Sequence, residues 1–131
     1  MSEKQKLLIV DDSELNRDIL KEILGSSYDY LEAENGTQAI QILEVHPEID
    51  LMLLDINMPQ MNGFQVLEHM RELQWIDEIP VVMISSEESV EIMRKAYDLG
   101  ITDYISRPFD AVIVKKRVQN TLELYANQKR L

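Results

Sequence analysis

A chain of 131 residues has room for one domain with a real core and is too short for two ordinary ones, and its 45% hydrophobic content fits a globular protein. With 13 basic against 24 acidic side chains the net charge is -11, which disfavours direct binding to nucleic acid or an anionic membrane and favours a metal cation or a basic protein partner. There is no cysteine, so disulfides, thiolate metal sites and cysteine nucleophiles are excluded; neither a signal-peptide pattern nor a membrane span appears, which makes a cytoplasmic location the default expectation.

Lys6 to Val10 reads as a short apolar strand that runs directly into Asp11, Asp12 and Ser13. From Leu15 the apolar residues recur at helical spacing, with Ile19 and Ile23 in the stripe, Leu20 and Leu24 widening it, and Gly25 as the stop. Tyr28 to Ala33 is a more polar strand, as expected of a sheet edge. Asn35, Gly36 and Gln38 open a second helix with Ala39, Ile40 and Leu43 inward, ending near Pro47. Leu51 to Pro59, LMLLDINMP, is the organising stretch: an apolar run without alternation reads as a strand buried on both faces, although periodicity alone leaves a buried helix segment open. Its Asp55 is costly to bury unless it stands at the strand's open end, near water or a cation. Asn62 caps a third helix carrying Val66, Met70 and Leu73 on one face. Pro80 precedes a fourth strand, Val81 to Ile84, with Ser85 immediately after it. A helix with Val90, Met93 and Tyr97 inward follows and closes at Gly100. Tyr104 to Ser106 is a short fifth strand, then come Arg107, Pro108 and a last helix with Val114, Val118, Leu122 and Tyr125 inward.

Strands alternating with helices imply parallel pairing through right-handed crossovers, hence a three-layer α/β sandwich. With strand order 2-1-3-4-5 in a five-stranded sheet with five helices, the first and third strands are neighbours where the order reverses. Asp11, Asp12 and Asp55 then meet in one cleft, and Ser85 and Arg107 line the same edge. Three clustered carboxylates repel one another unless a cation sits among them, and a hard ion with open positions points to Mg²⁺ over Ca²⁺. A carboxylate beside such an ion, with a hydroxyl and a cation at hand, has the parts for phosphoryl transfer to Asp55.

At these residues the chain resembles a response-regulator receiver domain of bacterial two-component signalling, of the chemotaxis-regulator kind. The likeness covers nearly all of residues 1–131: VDDS after the first strand, LLDINMPQMNG around the third, VVMISS at the fourth and DYISRPF at the fifth. It implies a flavodoxin-like sandwich and a phosphorylation-dependent signalling switch, not an enzyme in the ordinary sense. Asp55 would accept a phosphoryl group from a sensor histidine kinase or phosphotransfer protein. Asp12, Asp55 and the main-chain carbonyl of Asn57 would bind Mg²⁺, with Asp11 acting largely through water. Ser85 and Tyr104 would be the switch residues, and Glu87 a modulator of dephosphorylation. One position departs: the family usually has Lys before the proline of the fifth-strand loop, where Arg107 stands here, and the bond to Pro108 is expected to be cis. Receivers of this kind often dimerise through the fourth helix, fifth strand and fifth helix, where Glu91, Arg94, Lys95, Asp98, Asp103, Lys115 and Arg117 supply both signs of charge.

Simpler roles compete with these. Asp11 and Asp12 taken alone would cap the first helix, and Ser85 begins a capping box with Glu88, with Ser86 also available as a cap. His46, His69 and Trp75 read as surface or packing residues, and Lys115, Lys116 and Arg117 as a solvated helix face. The alternative to a switch is a pseudo-receiver, an interaction module signalling without phosphorylation, which Arg107 favours. An Asp-nucleophile phosphatase lacks its second catalytic Asp, since Asn57 stands there. The final helix, polar and uncapped over about residues 124–131, favours an excised domain leading into an output domain over a stand-alone one.

Overall fold

The computed structural model describes residues 4–59, 61–86 and 89–130, without the side chains of 127–130. β1 (Gln5–Val10) is buried from Leu7 onward, and β3 (Leu51–Asp55) and β4 (Val81–Ser85) are buried along their whole length. Strands covered on both faces need apolar side chains in both directions, which is why these segments are unbroken apolar runs. β2 (Tyr28–Ala33) and β5 (Asp103–Ser106) are only partly buried and form the two edges. All pairings are parallel, in the order β2-β1-β3-β4-β5.

Alternate residues of each central strand feed two separate cores. On one face α1 (Glu14–Leu24) and α5 (Ala111–Arg130) bring Leu20, Leu24, Val114, Val118 and Leu122 against Leu7, Ile9, Leu51, Leu53, Val82 and Ile84. On the other, α2 (Gly36–Val45), α3 (Gly63–Glu72) and α4 (Val90–Asp98) pack on Leu8, Val10, Met52, Leu54, Val81 and Met83. Each large side chain so buried contributes roughly 1.5–3 kcal/mol of transfer free energy before the entropy cost of ordering it. Side-chain caps mark where four helices begin, at Ser13, Asn35, Asn62 and Ser89, and Asn62 with Gln65 forms a reciprocal capping box. Gly25 stops α1 at φ 85°, a conformation that glycine adopts without penalty.

The fourth helix turns a different face inward from the one expected. Its buried residue is Ala96, with Ile92 and Leu99 packing against the core, while Val90 is 64% and Tyr97 44% exposed. The 92/96/99 stripe also has helical spacing, and the small Ala96 lets the helix sit close to the sheet. Ser85 opens no helix: it is the last residue of β4, and Ser89 caps α4 by accepting the Ile92 N–H. Glu88, the partner expected in that capping box, lies outside the described residues. Leu15 is exposed, because α1 meets the core through its later turns. Leu73 is the largely exposed C-cap of α3, and a 3₁₀ turn over Trp75–Asp77, not anticipated, follows it.

Candidate functional site

The register brings the ends of four strands to one edge. Val10 of β1 lies opposite Leu54, Asp55 opposite Ile84, and Ser85 opposite Ser106. Past the strands the ladder continues for one bond each, from Asp11 N to Ala33 O, Ile56 N to Ile84 O and Arg107 N to Ser85 O, all at 3.1 Å. Asp11, Asp55, Ser85 and Arg107 are therefore set out side by side by sheet geometry, at the point where strand order reverses.

Asp11 is fully buried and hydrogen-bonded at both oxygens: Oδ1 accepts from the Ser13 N–H at 2.9 Å, and Oδ2 from Nη2 of Arg107 at 2.6 Å. Asp55 is also buried. Its Oδ1 accepts from the Asn57 N–H at 3.0 Å, and its Oδ2 lies 3.3 Å from the same Arg107 nitrogen. Asp12 is exposed, and one carboxylate oxygen from each of Asp11, Asp12 and Asp55 falls within 4.8 Å of the others. Burial pushes the Asp55 carboxyl up to about 6; the Asn57 N–H opposes this, the Asp11 charge adds to it, and Arg107 pulls it back. Burial works against the Arg107 charge, but Asp55 and Asp11 outweigh it and raise its pKa further. Two buried carboxylates thus share one guanidinium with the exposed Asp12 carboxylate close by, and the hard oxygen donors left over suit a hard divalent cation.

Gly63, the first residue of α3, closes the floor. A side chain there would place Cβ 2.7 Å from both the Asp55 carbonyl oxygen and the Ile56 Cα, so only glycine lets α3 start against the Asp55 backbone. The Gly63 N–H bonds the Ile56 carbonyl at 3.1 Å, fixing the loop that carries Asn57.

A profile of the response regulator receiver domain matches residues 7–119. The chain belongs to that receiver family. Chemotaxis protein CheY1 of Helicobacter pylori is 34% identical to the receiver over 119 residues, 89% of this chain and 96% of that protein. Among solved structures, the chemotaxis protein CheY4 of Vibrio cholerae gives a TM-score of 0.83 at 27% identity, covering 91% of this chain and 99% of that one. A two-component system response regulator/GGDEF domain protein gives 0.86 at 27% identity over 94% of this chain, which spans about half of that protein, 51%. The receiver's sheet order and helix placement are those of the flavodoxin-like sandwich. Among its described residues no helix is long and apolar enough to cross a membrane.

Among the other expected positions of the receiver, Ser85 ends its strand and Arg107 directly follows its own at the same edge as Asp55. Ser85 is buried at the end of β4, with its carbonyl holding the Arg107 N–H. Asn57 is exposed on the loop after β3. Tyr104 is half-buried on β5; Arg117 of α5 stands 4.9 Å from its ring centroid and donates to its carbonyl. The Arg107–Pro108 bond is cis, and the Arg107 side chain enters the cleft. Glu87 lies outside the described residues. Sequence reasoning missed Arg17, whose Nη1 donates to the Asp11 carbonyl at 2.6 Å. No local signal marks it, because its partners come from other elements.

Proposed function

We propose that this receiver is a phosphorylation-dependent switch, a single signalling domain in which Asp55 accepts a phosphoryl group from a histidine of a sensor kinase or phosphotransfer protein. The observation that carries the reading is a buried carboxylate at the switch-point edge, paired with a second buried acid and a guanidinium shared between them. An Asp55 oxygen forms the new bond to phosphorus as the phosphorus–nitrogen bond of the donor breaks, and the imidazole leaves with that electron pair. The Asn57 N–H holds Oδ1, so Oδ2, on the Arg107 side, is the oxygen best placed to attack. A divalent cation, Mg²⁺ by its hard oxygen donors, would be held by Asp12, Asp55 and the Asn57 carbonyl, with Asp11 behind water, and would neutralise charge on the phosphoryl oxygens. Arg107 then moves its bonds from the carboxylates to the phosphoryl oxygens, a planar fork suited to either. The Ser85 hydroxyl donates to the acyl phosphate, Tyr104 follows it inward, and Glu87 tunes the rate of hydrolysis.

The pseudo-receiver reading has one observation in its favour: Arg107 pairs with both Asp11 and Asp55 and so offsets part of their charge from within the chain. One experiment separates the two. The protein is incubated with Mg²⁺ and a small phosphodonor and its intact mass measured; a single phosphoryl adduct, lost in Asp55→Asn and without Mg²⁺, is the expected result. Absence of the adduct in the wild type, or full labelling of Asp55→Asn, overturns the assignment.

A further inference from the structure

Arg17 is the fourth residue of α1 and takes no part in the chemistry above. Its side chain is only 12% exposed and makes two directed bonds: Nη1 to the Asp11 carbonyl at 2.6 Å and Nε to Oε1 of Glu32, on β2, at 2.9 Å. Glu32 is itself anchored, since its other oxygen accepts from Lys21 at 2.8 Å. Lys21 first, and Arg17 against the effect of burial, hold the Glu32 carboxyl below its ordinary range, so the anchor is charged.

The Asp11 carbonyl belongs to the peptide unit that joins Asp11 to Asp12. On the other side of Asp11, its N–H is tied to Ala33 of β2 and its carboxylate to Ser13 and Arg107. Asp12 is the exposed member of the acidic trio, so the peptide before it decides where its carboxylate points. We propose that Arg17 is a positioning residue: by clamping the Asp11–Asp12 peptide to β2 it keeps the Asp12 carboxylate aimed beside Asp55 for a divalent cation. The inference rests on the metal-assisted reading of the site.

The test turns on a sign. Removing Arg17 deletes a positive charge next to an acidic cluster, so electrostatics alone would tighten cation binding, whereas lost positioning weakens it. Mn²⁺ and Mg²⁺ titrations of the full chain, read by electron paramagnetic resonance and calorimetry, compare the wild type with Arg17→Met, Arg17→Lys and Tyr30→Phe. The last removes the hydroxyl bond to the Gly25 carbonyl and controls for general loosening. Arg17→Met is expected to bind roughly tenfold more weakly. Arg17→Lys, which can satisfy one partner but not both, recovers part of the loss, and Tyr30→Phe binds as the wild type does. Wild-type or tighter binding by Arg17→Met overturns the proposal, as does an equal loss in Tyr30→Phe. If Arg17→Met fails to fold, Glu32→Asp decides, because it keeps the charge while the shorter side chain withdraws from Arg17: a fewfold loss supports the clamp and unchanged affinity overturns it. A wild-type protein that binds neither cation overturns the metal-assisted reading itself, a failure visible before any variant is made.

Discussion

Nη2 of Arg107 lies 2.6 Å from Oδ2 of Asp11, although 96 positions separate the two residues. The same nitrogen is the one nearest Asp55, while Nε of Arg107 is buried with no hydrogen-bond partner among the described residues. The guanidinium therefore meets both acids through one corner, without the parallel pair of bonds that an arginine and one carboxylate form at their strongest. A donor buried without a partner costs free energy, and under the proposed function a phosphoryl group that used more of the fork would relieve it.

Arg107→Ala leaves Asp11 buried with one hydrogen bond fewer. Urea unfolding in metal-free buffer should show a loss of about 1–3 kcal/mol, largely recovered on adding Mg²⁺. Asp55 should still be phosphorylated, with a weakened conformational response that Arg107→Lys restores. An Arg107→Ala protein that is as stable as the wild type and switches normally would make the arginine a bystander.

The raised pKa of Asp55 gives a stability signature. Its carboxyl titrates near 3.8 when unfolded and about 6 when folded, so between those values the folded state binds more protons and stability falls as pH rises. Below 3.8 both states are protonated and the effect is absent. In metal-free buffer at neutral pH, Asp55→Asn should be more stable than the wild type by about 1–3 kcal/mol. The difference should close by pH 4, and Mg²⁺ should narrow it at pH 7. The phosphorylation rate should also decline as pH falls through about 6 and the nucleophile is protonated. Denaturation curves of the two proteins across this range check the sign directly.

Gly63→Ala forces a methyl group against backbone atoms of Asp55 and Ile56 that have no side-chain freedom to yield. A cost of about 1–3 kcal/mol is expected, with slower phosphorylation because the Asp55 main chain must shift. Thermal melts and the mass assay on the same sample test both halves, and a variant unchanged in both would refute the close contact.

The face made by α4, β5 and α5 spends part of its charge within the molecule: Arg117 lies 3.4 Å from Asp103, and the Lys95 ammonium sits 4.4 Å from the Phe64 ring centroid. Exposed ion pairs are weak and salt-sensitive, so the resting protein should sediment mostly as a monomer. A phosphoryl mimic should promote a dimer that dissociates with added salt. A tight dimer indifferent to both would contradict this account of the surface.

Much of the fold was legible in the sequence because its signals are local. Unbroken apolar runs at Leu51–Leu54 and Val81–Ile84 mark strands covered on both faces, caps such as Asn62 mark helix starts, and the alternation of the two element types dictates parallel pairing and brings Asp11, Asp12 and Asp55 to one edge. The inward face of α4 was not legible: the 90/93/97 and 92/96/99 stripes are both apolar at helical spacing, and only contact with the sheet chose the one centred on Ala96. Nor was Arg17, which reads as an ordinary polar helix residue until β2 brings Glu32 to it and β1 supplies the Asp11 carbonyl. Periodicity and capping are properties of neighbours in sequence, and the sequence determined what depends on them. The choice among equivalent helix faces, and the partners of a long charged side chain, depend on atoms from distant elements, and packing alone decided those.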